Sequence, residues 1–245
     1  MKENINLVNN KNESIESDYT RTLQFIFIKA TLDLFPNAKI TIRHSVGKGI
    51  FGEVFKERDL NVKDIEDIKV KMKELIDKDL PINKIKVTKE EAINIFKSYN
   101  MNDKVLLLEQ MDFKTVNLYE LDGRYDYFYG HMTKRTSDIK AFDLIYYENG
   151  FILRRPNDYQ TFTLSEFVEQ RKMTKILRET EKWIDILEVG NVGALNDKID
   201  KGELINLVMI SEALHEKKIA EIADKISSKN EVKLILSPIL KLITL

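Results

Sequence analysis

The sequence predicts an α+β domain followed by an all-helical region. Apolar residues recur at helical spacing early and late in the chain. Between them lies a series of short alternating or aromatic runs, with Asp122-Gly123 and Asn149-Gly150 as hairpin turn signals. After Pro156 the strand-like runs stop and helical spacing takes over.

The first 17 residues are polar and lack the apolar core of a signal peptide, so 1–17 reads as an extended or disordered lead-in. Asp18 is placed to cap a helix with Leu23, Ile26, Phe27, Ala30 and Leu34 on one face, stopped by Phe35-Pro36-Asn37. "AKITIRHSV" and "GIFGEVF" flank Gly47-Lys48 and predict two strands and a tight turn. Asn61 caps a helix that presents Ile65, Ile68, Met72, Leu75 and Ile76 and closes before Pro81. "INKIKV" alternates like a strand, and Thr88 with Glu91 forms a capping box for a helix to about Tyr99. "KTVNLYEL", "YDYFYG", "KAFDLIYY" and "GFILRRP" read as four more strands. Residues 18–156 therefore form a mixed sheet with helices, and 157–230 a helical linker. The strongest helix of that linker runs from about Gly202 to Ser227. "EVKLIL" then reads as a buried strand before "SPILKLITL".

Lys and Arg total 39 against 40 Asp and Glu, a net charge of -1, which argues against nucleic acid as a bulk electrostatic partner. With no cysteine there is no thiolate nucleophile, disulfide or Cys-ligated zinc, and His44, His131 and His215 alone do not complete a His-rich metal site. No run approaches a membrane span, and the expected location is cytoplasmic.

"VGKGIFGEVFKE" places Gly47, Gly49 and Gly52 in the spacing G-x-G-x-x-G. A protein-kinase reading fails because no H-R-D loop follows and Lys114 stands where D-F-G needs glycine. A dinucleotide reading fails because a strand, not a helix, follows the glycines. The glycines read as hairpin residues: Gly47 and Gly49 for turn geometry, Gly52 for a bulge or a close contact.

The stretch 18–156 resembles the second additional domain of threonyl-tRNA synthetases, the fold that hydrolyses mischarged tRNA and recurs in alanyl editing proteins. The resemblance is carried by Leu34-Phe35-Pro36, Gly49-Ile50-Phe51, and Gly130 before "FDLIYYENGF". It implies H-x-x-x-H and C-x-x-x-H zinc motifs at positions that here hold Arg21 and Phe25, then Phe128 and Met132. These four cannot hold zinc, so no metal is expected. Nearly the full chain is similar to uridine kinase-like nucleoside kinases that carry this synthetase-like domain. "YTRTLQFIFIKATLDLFPNAKITIRHSVGKGIFGEVF", "DYFYGHM", "KAFDLIYYENGFILRRP" and "NVGALNDKIDKGELINLVMISEALHEKKIAEIADKI" carry that likeness. It implies that 231–245 is the truncated first strand of a P-loop kinase domain plus an atypical tail, because "SPILKLITL" stands where G-x-x-x-x-G-K-S/T belongs.

The implied function is a non-catalytic ligand-binding or regulatory module of an ATP-dependent nucleoside kinase. ATP and magnesium are expected only with the missing kinase domain. Arg21, His44, Lys48, Gly130 and His131 are the candidate pocket for a small nucleoside-like or anionic ligand; no catalytic residue is assigned. The alternative is a metal-independent hydrolase of mischarged tRNA with His44 or His131 as general base. The expected partners are the missing kinase domain, that small ligand, or a second copy through the apolar tail.

Overall fold

The computed structural model describes residues 2–229, with side chains placed from 14 to 228. The kinase strand and tail expected over 231–245 lie outside the described residues. The chain divides into two compact units, Met1–Leu177 and Arg178–Leu245.

The first unit opens with α1 (Lys2–Leu34). The expected lead-in is therefore helical from Lys2, and Asp18 lies inside the helix rather than at its cap. Residues 2–18 contain no proline or glycine to break a helix. Asp18 instead accepts a hydrogen bond from Arg21 Nη1 on its carboxylate, 3.3 Å, and one from Thr22 Oγ1 on its carbonyl, 2.8 Å. From Thr22 to Thr31, α1 is buried on almost every side: Leu23, Phe25, Ile26, Phe27 and Ala30 are all sealed from solvent. A helix apolar beyond one stripe is a core helix. Leu34, expected on the buried face, is 39% exposed at the helix end.

The hairpin of β1 (Lys39–Val46) and β2 (Gly49–Phe55) follows as expected, with Gly47 at φ 58° in its turn. Next comes α2 (Val62–Asp77), held at its start by a reciprocal Asn61–Asp64 capping box. Strand β3 (Asn83–Thr88) leads into α3 (Lys89–Ser98) through the Thr88–Glu91 box. Then comes α4 (Asn102–Gln110), a helix the sequence reading passes over. Its N-cap is Met101, which supplies no side-chain cap, so the usual start signal is missing.

Strands β4 (Thr115–Leu121) and β5 (Arg124–Asp126) turn at Asp122-Gly123, both at positive φ. β5 takes only the beginning of the expected "YDYFYG" strand; Tyr127–Gly130 is loop. Asp126 turns its carboxylate onto the Tyr127 N–H, 2.7 Å, and Gly130 adopts φ 105°, so the ladder cannot continue. A 3-10 turn (Thr136–Asp138) precedes β6 (Asp143–Tyr147) and β7 (Gly150–Arg154). Their turn residues are Glu148 and Asn149, φ 45° and 64°, one position before the expected Asn149-Gly150.

The strands form two antiparallel sheets, β1-β2-β7-β6 and β3-β4-β5, not one mixed sheet. α1 and α2 cover the first through a core that includes Leu23, Phe27, Ile68, Met72, Leu144 and Phe151. α3 and α4 cover the second through Ala92, Phe96, Leu108 and Leu118. Each large apolar side chain so buried contributes about 1.5–3 kcal/mol.

The G-x-G-x-x-G spacing resolves into packing. A Cβ on Gly52 would lie 2.6 Å from the Phe151 ring and from Thr41 O; one on Gly150 would lie 2.3 Å from Gly52 O. Gly49 is likewise fixed by contact, 2.6 Å from Ile152 Cγ2, rather than by turn geometry.

Pro156 does not end the first unit. Tyr159 and Phe162 return to pack on Tyr19, with ring centroids 5.1 and 6.1 Å away. Phe167 meets the Tyr147 ring, and Thr174 hydrogen-bonds with the Tyr147 hydroxyl, 3.3 Å. α5 (Arg171–Leu187) carries the boundary between the units.

In the second unit, α6 (Val192–Asp200) is capped by Asn191, whose side chain accepts from the Ala194 N–H at 2.9 Å. α7 (Leu204–Lys229) follows Gly202, which sits at φ 78°. Lys218 pairs with Glu179 at 2.5 Å and Lys198 with Glu188 at 3.2 Å, while Ile205, Met209 and Ile219 stay exposed. Among the described residues no helix is long and apolar enough to cross a membrane.

Candidate functional site

The five expected pocket residues fall into separate groups. Arg21, Gly130 and His131 come together. The Arg21 guanidinium lies on Gly130, where a Cβ would stand 2.8 Å from its Cζ, and Nη1 donates to the His131 carbonyl at 3.2 Å. The loop is stitched further to α1 by the Thr133 N–H, which donates to the buried Thr22 Oγ1 at 2.9 Å. Tyr119 donates its hydroxyl to Gly130 O at 2.7 Å. The His131 side chain itself is exposed.

Lys48 lies elsewhere. It reaches Glu16 at 3.4 Å, and five helical residues separate Glu16 from Arg21 by about 140° around α1. His44 packs its ring on Phe51, 5.2 Å between centroids, within the first sheet.

The four positions that the synthetase resemblance marks as metal ligands do converge. Phe25 follows Arg21 by one turn, and its ring meets that of Phe128 at 5.4 Å. Met132 packs half-buried against the same core as Phe25. The donor set does not fit a metal. Two phenylalanines offer no lone pair, a guanidinium repels a cation, and one thioether is a weak ligand. Among the described residues, no three His, Cys, Asp or Glu side chains come together to hold an ion.

The structure adds residues to this site that the sequence did not single out. Lys104, in the first turn of α4, lies 5.9 Å above the Phe128 ring and 5.5 Å from the Phe96 ring. It forms an ion pair with Asp126, whose side chain is fully buried. Among the described groups the second oxygen of Asp126 accepts no hydrogen bond. Arg124 stacks on Tyr99 at 3.8 Å, and burial lowers its pKa despite nearby Asp126. The one available signal was an aspartate inside a run of tyrosines; its lysine sits in a helix without a cap and 22 residues away. The assembled site is a pair of aromatic rings with Arg21 and Lys104 on its flanks. Phe25 is sealed in the core, so the half-buried Phe128 ring with Arg21 and Lys104 is the part of this site open to a flat group that carries an anion.

A cleft of about 450 Å³ lies at the other end of α1, lined by Leu34–Ala38 and Lys56–Arg58. Leu34 is 13 residues from Arg21, about 20 Å along the helix. Its two cations are committed to the buried Asp64: Lys56 at 3.1 Å, and Arg58 through two nitrogens at 2.6 and 2.8 Å. Burial pushes the Asp64 carboxyl up, but the hydrogen bonds from Arg58 and Lys56 outweigh it and hold it below the usual range.

No family model matches the chain. The chain is 34% identical over 119 residues to a threonine–tRNA ligase of Citrifermentans bemidjiense, covering 49% of this chain and 19% of that protein. It is 30% identical over 120 residues to that of Lawsonia intracellularis, with the same shares, and 28% identical over 142 residues to that of Acetivibrio thermocellus. The first domain is threonyl-tRNA synthetase-like. Its α+β fold is editing-domain-like. The match spans only about a fifth of the length of these relatives. It covers the synthetase-like domain and does not bear on the nucleoside-kinase likeness.

Proposed function

We propose that this chain is a binding module derived from the editing fold, one that holds a small anionic, nucleoside-like ligand without hydrolysing it. The observation that carries the reading is the Phe25–Phe128 ring contact, 5.4 Å between centroids and tilted by 53°, standing where the resemblance marks a metal. Aromatic rings replace ligating atoms, and beside them lie Arg21, which pairs with Asp18 at 3.3 Å, and Lys104, which pairs with Asp126. The similarity to uridine kinase-like proteins supports a larger context in which the module regulates or presents a nucleoside to an ATP-dependent kinase domain.

The test pairs two measurements on the full chain. Calorimetric titration with nucleosides and nucleoside monophosphates is expected to show saturable binding that is lost in Lys104→Ala. Deacylation of mischarged tRNA, with and without chelator, is expected to show no turnover above the spontaneous rate. Robust turnover that falls in His131→Ala would establish the hydrolase instead. Absence of binding to every member of the nucleotide series would overturn the ligand assignment.

A further inference from the structure

At Glu16 on α1, away from the aromatic pair, polar groups converge. Arg155, at the end of β7, donates through Nη1 to Glu16 Oε1. Lys48 Nζ reaches the two carboxylate oxygens at 3.5 and 3.4 Å. The two cations are fixed to each other by the backbone, because the Arg155 N–H donates to Lys48 O at 3.1 Å. Arg155 is 15% exposed at its side chain, and Glu16 33%. Two buried polar groups beside this pair lack a well-formed hydrogen bond among the described groups: Arg155 Nε, and the Tyr159 hydroxyl, whose oxygen has the Arg155 and Thr20 side chains beside it but whose O–H has no acceptor. Tyr159 is held in place by the edge-on ring of Tyr19, 5.1 Å away.

We propose that Lys48, Arg155 and Tyr159 form a phosphate-binding cradle that Glu16 occupies from within the chain. Among the described residues two cations, the largely buried Arg155 and the half-exposed Lys48, face one carboxylate, an excess of one positive charge. A carboxylate offers two oxygens in one plane, and here they meet the lysine and one guanidinium nitrogen. Buried donors are ordinarily satisfied, so Arg155 Nε and the Tyr159 O–H mark the places that further oxygens would fill. A dianionic tetrahedral phosphate has both the charge and the oxygens to take the guanidinium edge, the ammonium and the hydroxyl together. Burial raises the Tyr159 pKa above that of an ordinary tyrosine, with Glu16 adding to the rise against Arg155, so the hydroxyl stays a donor at neutral pH. Glu16 is partly solvent-exposed and can be displaced without opening the core. The inference is independent of the aromatic site: Glu16 and Arg21 point about 140° apart around the helix.

Inorganic phosphate is the probe, titrated into the full chain and followed by calorimetry and phosphorus NMR. Glu16→Ala vacates the cradle and is expected to bind phosphate about five- to tenfold more tightly than the unmodified chain, as removal of a partly exposed ionic competitor should. Adding Lys48→Ala or Tyr159→Phe to Glu16→Ala is expected to return most of that gain. Arg155→Lys should abolish binding, and Tyr159→Phe keeps the test decisive if that variant fails to fold. A glycerol phosphate arm assigns the source. Tighter binding of the ester points to a phosphorylated metabolite, and equal binding to free phosphate. If Glu16→Ala binds phosphate no better than the unmodified chain, or binds chloride equally well, the cradle is refuted. Failure of nucleoside binding at the aromatic pair would leave these outcomes unchanged.

Discussion

The seam between β2 and β7 and the loop 126–133 both pack on α1, and they relate to the synthetase-like pattern in opposite ways. Along the seam the pattern's glycines stand where anything larger collides: a Cβ on Gly150 would sit 2.3 Å from Gly52 O, and one on Gly49 2.6 Å from the Ile152 side chain. Phe27 of α1 closes over this seam on Phe151, 4.2 Å between rings. Across the loop and the facing turn of α1, all four expected metal positions carry other residues, and the helix and loop still meet through Arg21, Phe25 and Phe128. Backbone contacts cannot be traded without moving strands. Ligand atoms are side-chain tips on elements that already exist, and apolar packing can replace them. Chemistry is thus detachable from the scaffold that presented it.

The largest expected effect comes from reversing that replacement. A chain with Arg21→His, Phe25→His, Phe128→Cys and Met132→His is expected to bind zinc at one ion per chain, measured by mass spectrometry of the dialysed protein. Without zinc it should lose about 3 kcal/mol or more, because Phe25 is fully buried and its ring contact is lost. Failure to bind zinc in a folded variant would show that the positions adjoin without aiming at a common point.

The seam is broken from the other side by Gly150→Ala. The new methyl meets the Gly52 carbonyl and the Phe51 ring at 2.3 and 2.9 Å. Urea unfolding should report a loss of about 3 kcal/mol. A loss below about 1 kcal/mol would mean that the strands slide apart easily, and the contrast between rigid seam and replaceable site would fail.

How much of this could be read in the sequence follows the same division. The first two hairpin turns, the Asn61 and Thr88 caps and most of the buried face of α1 are written in local signals and appear where expected, while the β6–β7 turn falls one residue early and Leu34 is exposed. What was missed depends on distant contacts. α4 starts at Met101 without a capping side chain, so its Lys104 had no assigned place. "YDYFYG" alternates like a strand, yet the Tyr119–Gly130 hydrogen bond and the Asp126 carboxylate bend it into loop. Lys48 and Arg21 share a helix as neighbour but not a face of it, and residue types alone do not reveal that.

A smaller effect tests the polar edge of the seam. Asp143 on β6 accepts from Lys69 at 2.5 Å and from Arg154 on β7 at 3.0 Å. Burial pushes its carboxyl up, but Lys69 and then Arg154 more than offset this, so it titrates below the ordinary range. A folded-state pKa below the unfolded value means the contribution is complete at neutral pH. It is lost as pH falls below about 4, through the folded-state value. Asp143→Asn is expected to cost about 1 kcal/mol at pH 7 and to flatten the acid limb of the urea midpoint against pH. An unchanged acid limb would place the acid sensitivity in other carboxylates, Asp64 first among them.

The smallest change in stability is expected at Arg21, and it sharpens the comparison most. Its side chain is 27% exposed, and its bonds to Asp18 and to the His131 carbonyl are long, 3.3 and 3.2 Å. Such contacts contribute about 1 kcal/mol or less. Arg21→Ala should therefore leave the urea midpoint nearly unchanged, since Thr22 and Thr133 still tie the loop to α1. If the aromatic pair with its flanking cations binds an anion, the same variant loses that binding, and Arg21→Lys restores only part of it because a single ammonium cannot reproduce the guanidinium fork. A variant that binds nothing yet unfolds normally separates site from scaffold at one residue. A large loss of stability would instead make Arg21 a structural strut, and the loop would belong with the seam.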